Sequence, residues 1–189
     1  MSDFEFVSVI LAIVIGLGMT RILSGLASVL EHRATLRIDW ISLTWAVAVL
    51  LWQIVFWLGT VNAYRERAVF TVASFGLLLL AAVSLYFAAA LVLPSQIGPG
   101  TDLRQHYDAV RIPFFLVIMS LPLLELSDSL LNGFSNPVSR EPEYLVTQGV
   151  IIVGCCSTLA IKDRRNQGFW AVVALCSLIA WLFTRLFVI

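Results

Sequence analysis

Residues 40–62 read WISLTWAVAVLLWQIVFWLGTVN, a run without one charged side chain. A helix needs about 20 mostly apolar residues to cross the hydrocarbon of a bilayer. There it satisfies every backbone N–H and C=O internally, which irregular chain exposed to lipid cannot do. The stretch therefore predicts a membrane-spanning helix.

The same pattern recurs on both sides of it. Phe4 to Leu30 carries no charge beyond Glu5 except Arg21, and Val69 to Leu93 is uncharged. Pro113 to Phe134 carries Glu125 and Asp128, Tyr144 to Ile161 is the shortest run, and Gly168 to Ile189 holds Arg185 near its end. The connections are brief and polar, and Gly and Pro cluster in those at 94–112 and 135–143, as breaks between helices should be. In the longest, DLRQHYDAVR (102–111) is expected to form a short interfacial helix ahead of Pro113. The fold class that follows is all-α: one transmembrane domain over residues 1–189, a polytopic bundle of six spanning helices with no soluble domain.

Composition agrees. Of 189 residues 60% are hydrophobic and 13% charged, against about 45–50% and about 25% in soluble domains. The mean hydropathy is +0.93. Twelve basic residues balance 12 acidic ones, so no basic surface points to nucleic acid. Period-two alternation is missing, which argues against a membrane β-barrel. Asp3 and Glu5 lead the first apolar run where a signal peptide would have basic residues, so that run is read as a retained helix. No Walker loop, HExxH or GxSxG motif is present, and the chain is not expected to be an enzyme.

Six spans put both termini on one side. That side receives Arg65, Arg67 and Arg140, and the other receives Arg33, Arg37, Arg104, Arg111, Lys162, Arg164 and Arg165. Basic loops stay in the cytoplasm, so both termini are expected outside. The two three-helix halves share no spacing of charges or prolines, and no repeat is evident.

Ionisable groups inside spans are costly and mark function by default. Four fall there: Arg21, Glu125, Asp128 and Arg185. Depth along the helices pairs Arg21 with Glu125 and Arg185 with Asp128. Gly18, Gly25 and Ser28 share a face with Arg21, and small residues let helices approach closely in lipid. That face is also a possible interface between copies of the chain. Pro122 should bend the fourth helix beside Glu125, because it removes one backbone donor. His32 and His106 sit at helix ends and are weak metal ligands without a third partner. Cys155, Cys156 and Cys176 lie in apolar runs with neither disulfide nor zinc spacing. Trp45, Trp52 and Phe56 share a face, while Trp40, Trp57 and Trp170 sit close to segment ends, where aromatic belts form. No cofactor or metal is expected. The lipid bilayer is the expected surrounding, with a second copy or a partner membrane protein as possible company.

The opening FEFVSVILAIVIGLGMTRILSGL, the tryptophan-rich second span ending VFW, and DLRQHYDAVRIPFF before the fourth span resemble a group of small uncharacterised bacterial integral membrane proteins. The resemblance covers nearly the whole chain. It implies a multi-helix protein of a bacterial inner membrane and carries over no activity or functional residue. Two functions compete. In the first, a channel or transporter-like protein lines a polar path with Glu125 and Asp128, under the potential of Arg21 and Arg185. In the second, an accessory or scaffold protein transports nothing and binds a partner protein or lipid. An enzyme acting on lipids or quinones is the third and weakest reading.

Overall fold

The computed structural model describes residues 3–64, 71–131 and 142–186, and the side chains of 7–61, 71–131 and 145–183. These form six helices: α1 Asp3–Glu31, α2 Trp40–Tyr64, α3 Val72–Val92, α4 Leu103–Leu131, α5 Pro142–Ala160 and α6 Arg164–Leu186. Five of them are long and apolar enough to cross a membrane. The exception is α5, whose 19 residues give about 28 Å of helix, just short of the roughly 30 Å of hydrocarbon. The molecule is an all-helical bundle in which α3 packs between α1 and α4, and α2 touches α1, α3, α4 and α6. The pair α5 and α6 closes the far side against α4 and α2. Large side chains on the outer face of α1, among them Val9, Ile13, Leu17 and Leu23, are exposed, as a lipid-facing surface requires.

The fourth helix differs from the expectation. It begins at Leu103 and runs unbroken through Pro113 and Pro122. DLRQHYDAVR is thus its cap and first turns, not a separate interfacial helix. Pro113 cannot bond the Ala109 carbonyl. Both residues lie on the exposed side of the helix, where water or headgroups can take over that carbonyl. Apolar or aromatic Leu103, Tyr107, Phe114, Phe115 and Ile118 keep one buried stripe across the proline, and this stripe holds the helix together. Near Pro122, the Ser120 hydroxyl donates to the Val117 carbonyl at 2.7 Å and lies 3.2 Å from Ser84 Oγ of α3.

Gly18 and Gly25 make the close approaches that their small size suggested, but inside the bundle. A Cβ on Gly18 would stand 2.5 Å from Nε2 of Gln53, and one on Gly25 would stand 2.8 Å from Cδ1 of Leu93. The Ser28 carbonyl accepts from the His32 N–H at 3.1 Å. The two glycines are covered by α2 and by the end of α3, so that face is not free to join two copies of the chain. Gln53 is fully buried, and its amide donates to the Leu85 carbonyl of α3 at 3.3 Å. Three helices thus meet around one buried polar side chain, the usual adhesive where lipid removes the hydrophobic drive for association.

The α1–α2, α3–α4 and α5–α6 connections lie together at one end, called here the basic end. The first two are joined by backbone bonds: Arg37 N to Thr101 O at 3.2 Å, Leu103 N to Arg37 O at 3.1 Å, and Gly100 N to Thr35 O at 3.2 Å. Gly100 supplies the left-handed turn, with φ +84°. Each helix that starts at this end has an aspartate at its cap. Asp39 accepts from Ser42 N, Asp102 from Arg104 N and Gln105 N, and Asp163 from Arg165 N. Such caps satisfy donors that have no partner within the helix. The Gln105 N–H, helped by that of Arg104 and by Arg37, holds the Asp102 carboxyl below its usual value. Arg37 and Asp102 also form an ion pair at 3.6 Å, but the Arg37 side chain is 84% exposed, so the pair adds little.

Candidate functional site

Among the described residues, five of the nine buried polar or charged side chains, Asp39, Ser42, Arg111, Thr158 and Gln167, lie at the basic end. The last carbonyls of a helix have no partner within it, and those of α3 end against three neighbouring helices. His106 Nε2 of α4 meets the Leu91 carbonyl at 2.9 Å, and Ser42 Oγ of α2 donates to the Val92 carbonyl at 3.2 Å. Arg21 of α1 donates to the Leu93 and Pro94 carbonyls at 3.2 and 2.8 Å. A cation beside a helix C-terminus also opposes the negative end of its dipole.

This placement corrects the expected pair of Arg21 with Glu125. Arg21 reaches the same helix end as His106. Glu125 lies about 19 residues further along α4 from His106, or about 28 Å. The physical reason is length. An arginine side chain can extend along the helix to groups at the membrane edge, where the free carbonyls of α3 lie. Glu125 instead accepts a hydrogen bond from the Gln148 amide of α5. Asp128 is half-buried, three residues on, and has an interaction of its own. The Arg185 side chain lies outside the described residues, and so does its expected pairing with Asp128. His32 Nδ1 is 3.0 Å from the Ser28 carbonyl of its own helix. Each histidine is thus engaged with a backbone carbonyl.

Three residues that matter most at this end were assigned to connections in the sequence: Asp39, Arg111 and Arg164. Asp39 is only 5% exposed and forms an ion pair with Arg164. Arg164 also reaches Asp108 of α4 at 3.6 Å. One arginine at the start of α6 therefore joins the cap of α2 to the second turn of α4. Arg111, 6% exposed, donates to the Thr158 carbonyl at 2.8 Å. Thr158 lies in the last turn of α5, so Arg111 serves α5 as Arg21 serves α3. Among the described residues no carboxylate pairs with Arg111; the carbonyl and the dipole of α5 offset its charge. A signal for Arg111 was present in the sequence. It falls four residues after Tyr107 and seven before Ile118, on the buried stripe of a helix continued through Pro113.

Beside this cluster Tyr107 and Trp45 are buried. Trp45 also packs edge-on against Phe114 and Phe115, with centroids 5.5 and 5.2 Å apart. Below it lies a cavity of about 30 Å³ between α2, α4, α5 and α6. Its lining is mostly apolar and includes Trp45, Trp52, Ile118, Cys155 and Trp170. Gly154 of α5 lets Trp170 approach, since a Cβ there would come within 2.7 Å of the indole. Glu125 and Asp128 do not line this cavity. In chemical terms, the cluster neutralises helix ends and ties helices to one another.

No known protein family, curated protein or solved structure matches the chain. Its apolar helices are those of an integral membrane protein, and the functional reading rests on the geometry alone.

Proposed function

We propose that the protein is a non-transporting accessory or scaffold protein of a bacterial inner membrane, with its basic end in the cytoplasm. One observation carries the reading. The arginines whose side chains are described within or against the bundle, Arg21, Arg111 and Arg164, are spent on helix ends and on joining connections. Arg33, Arg37, Arg104, Lys162 and Arg165 remain exposed around the joined connections. They form a braced, basic platform for a partner at the membrane surface. The transport reading would route ions past Glu125 and Asp128, and neither lines the mostly apolar cavity between α2, α4, α5 and α6.

Purified full-length protein in liposomes is expected to pass protons, alkali cations and halides no faster than protein-free vesicles. A flux that Glu125→Gln changes would overturn the scaffold reading in favour of transport. The orientation has a separate test. A C-terminal fusion to a reporter active only outside the cytoplasm should be active, and the same reporter placed after Gly98 should be silent. The reverse pattern would place the platform on the outer face.

A further inference from the structure

We propose that Glu125 is a proton-binding site within the membrane, present as the neutral acid and closed into a two-hydrogen-bond ring with Gln148. The two side chains face each other between α4 and α5, and the Gln148 amide N–H already donates to one carboxyl oxygen, Oε2. The other end of that amide, Gln148 Oε1, is buried and has no hydrogen-bond partner among the described residues. A primary amide offers a donor and an acceptor side by side. A carboxylate has only acceptors and can answer just the donor. A carboxylic acid has both and completes the pair: Gln148 N–H to Glu125 Oε2, and Glu125 Oε1–H to Gln148 Oε1. The proton comes from water and its binding cancels one negative charge, so no other reactant is needed.

The surroundings favour the same state. The helices packed against α4 besides α5, namely α2 and α3, contain no Asp, Glu, Lys, Arg or His. On α5 the nearest ionisable side chains along the chain, Glu143 and Tyr144, lie outside the described residues. On α4 itself Asp128 stands three residues away. Among the described residues no cation pairs with Glu125, and a lone carboxylate in hydrocarbon carries a penalty that bound protons remove. The ring also supplies α5 with a second attachment to α4. The first is Arg111 on the Thr158 carbonyl, at the opposite end of the same helix pair. Holding or releasing this proton would tighten or loosen α5. The site stands apart from the scaffold reading, since a protein that moves no ions can still bind a proton here.

Infrared spectroscopy of the full-length protein in lipid at neutral pH tests it. The wild-type minus Glu125→Gln difference spectrum should contain the carbonyl stretch of a protonated carboxylic acid, shifted in heavy water. Asp128→Asn should leave that band in place. Gln148→Leu should move it to higher frequency, because the acid loses both bonds of the ring. Glu125→Gln should unfold at the wild-type temperature, since a second amide reproduces the ring. If that variant does not fold, Glu125→Asp provides the readout by displacing the band. A folded wild type without any such band overturns the proposal. So does a band that disappears with Asp128→Asn and persists in Glu125→Gln.

Discussion

Arg164→Ala should lower the unfolding free energy by about 3 kcal/mol, measured in detergent micelles by heat or by titration with a denaturing detergent. Removing one partner of a buried ion pair typically costs about 3–5 kcal/mol, because the other charge is stranded. The low end applies since the Arg164 side chain keeps 26% of its surface exposed. Asp39 would be left as a 5% exposed carboxylate with the Ser42 N–H as its described hydrogen bond. The double variant Asp39→Asn, Arg164→Ala should recover part of the loss, because asparagine still caps α2 and carries no charge. Losses that simply add, or a single-variant cost below about 1 kcal/mol, would make this an ordinary surface pair.

The second large effect is expected at Arg111. Arg111→Ala should cost about 2–3 kcal/mol, the usual penalty for stranding a buried acceptor that a charged donor had satisfied. Thr158 is fully buried, so water does not replace that donor. Arg111→Met keeps most of the aliphatic stem and loses the donor, so it should fall between alanine and wild type. Arg111→Lys keeps a donor and a charge and should lie closest to wild type. Amide exchange in the last turn of α5 should rise with each loss, about tenfold for every 1.4 kcal/mol if the opening is local. Exchange that rises equally in all six helices would show that Arg111 holds the whole bundle and not this helix end.

Much of this fold was legible in the sequence, for a physical reason. Hydrocarbon tolerates few charges, so the uncharged run at 40–62 and its counterparts announce themselves through length and composition. The helices other than α4 lie close to where their apolar stretches placed them. The start of α4 did not, because Pro113 reads as a stop. A proline interrupts a helix only where its lost bond cannot be replaced, and the exposed side of this helix can replace it. The partners of the intramembrane charges were less legible still. Charge counting sends Arg21 to a carboxylate, yet the unpaired carbonyls of a helix end are acceptors of comparable value and leave no mark in a sequence. Gln148 was missed for the same reason, since nothing in a string of letters shows that a glutamine faces a glutamate from the next helix.

The arginines that close α3 and α5 also bear on how the chain is made. Arg21 belongs to α1 and serves α3; Arg111 belongs to α4 and serves α5. Synthesis runs from the N-terminus, so in both cases the guanidinium leaves the ribosome before the helix that will need it. Each late segment thus enters the bilayer beside a receptor already in position. This order matters most for α5, the shortest of the six described helices.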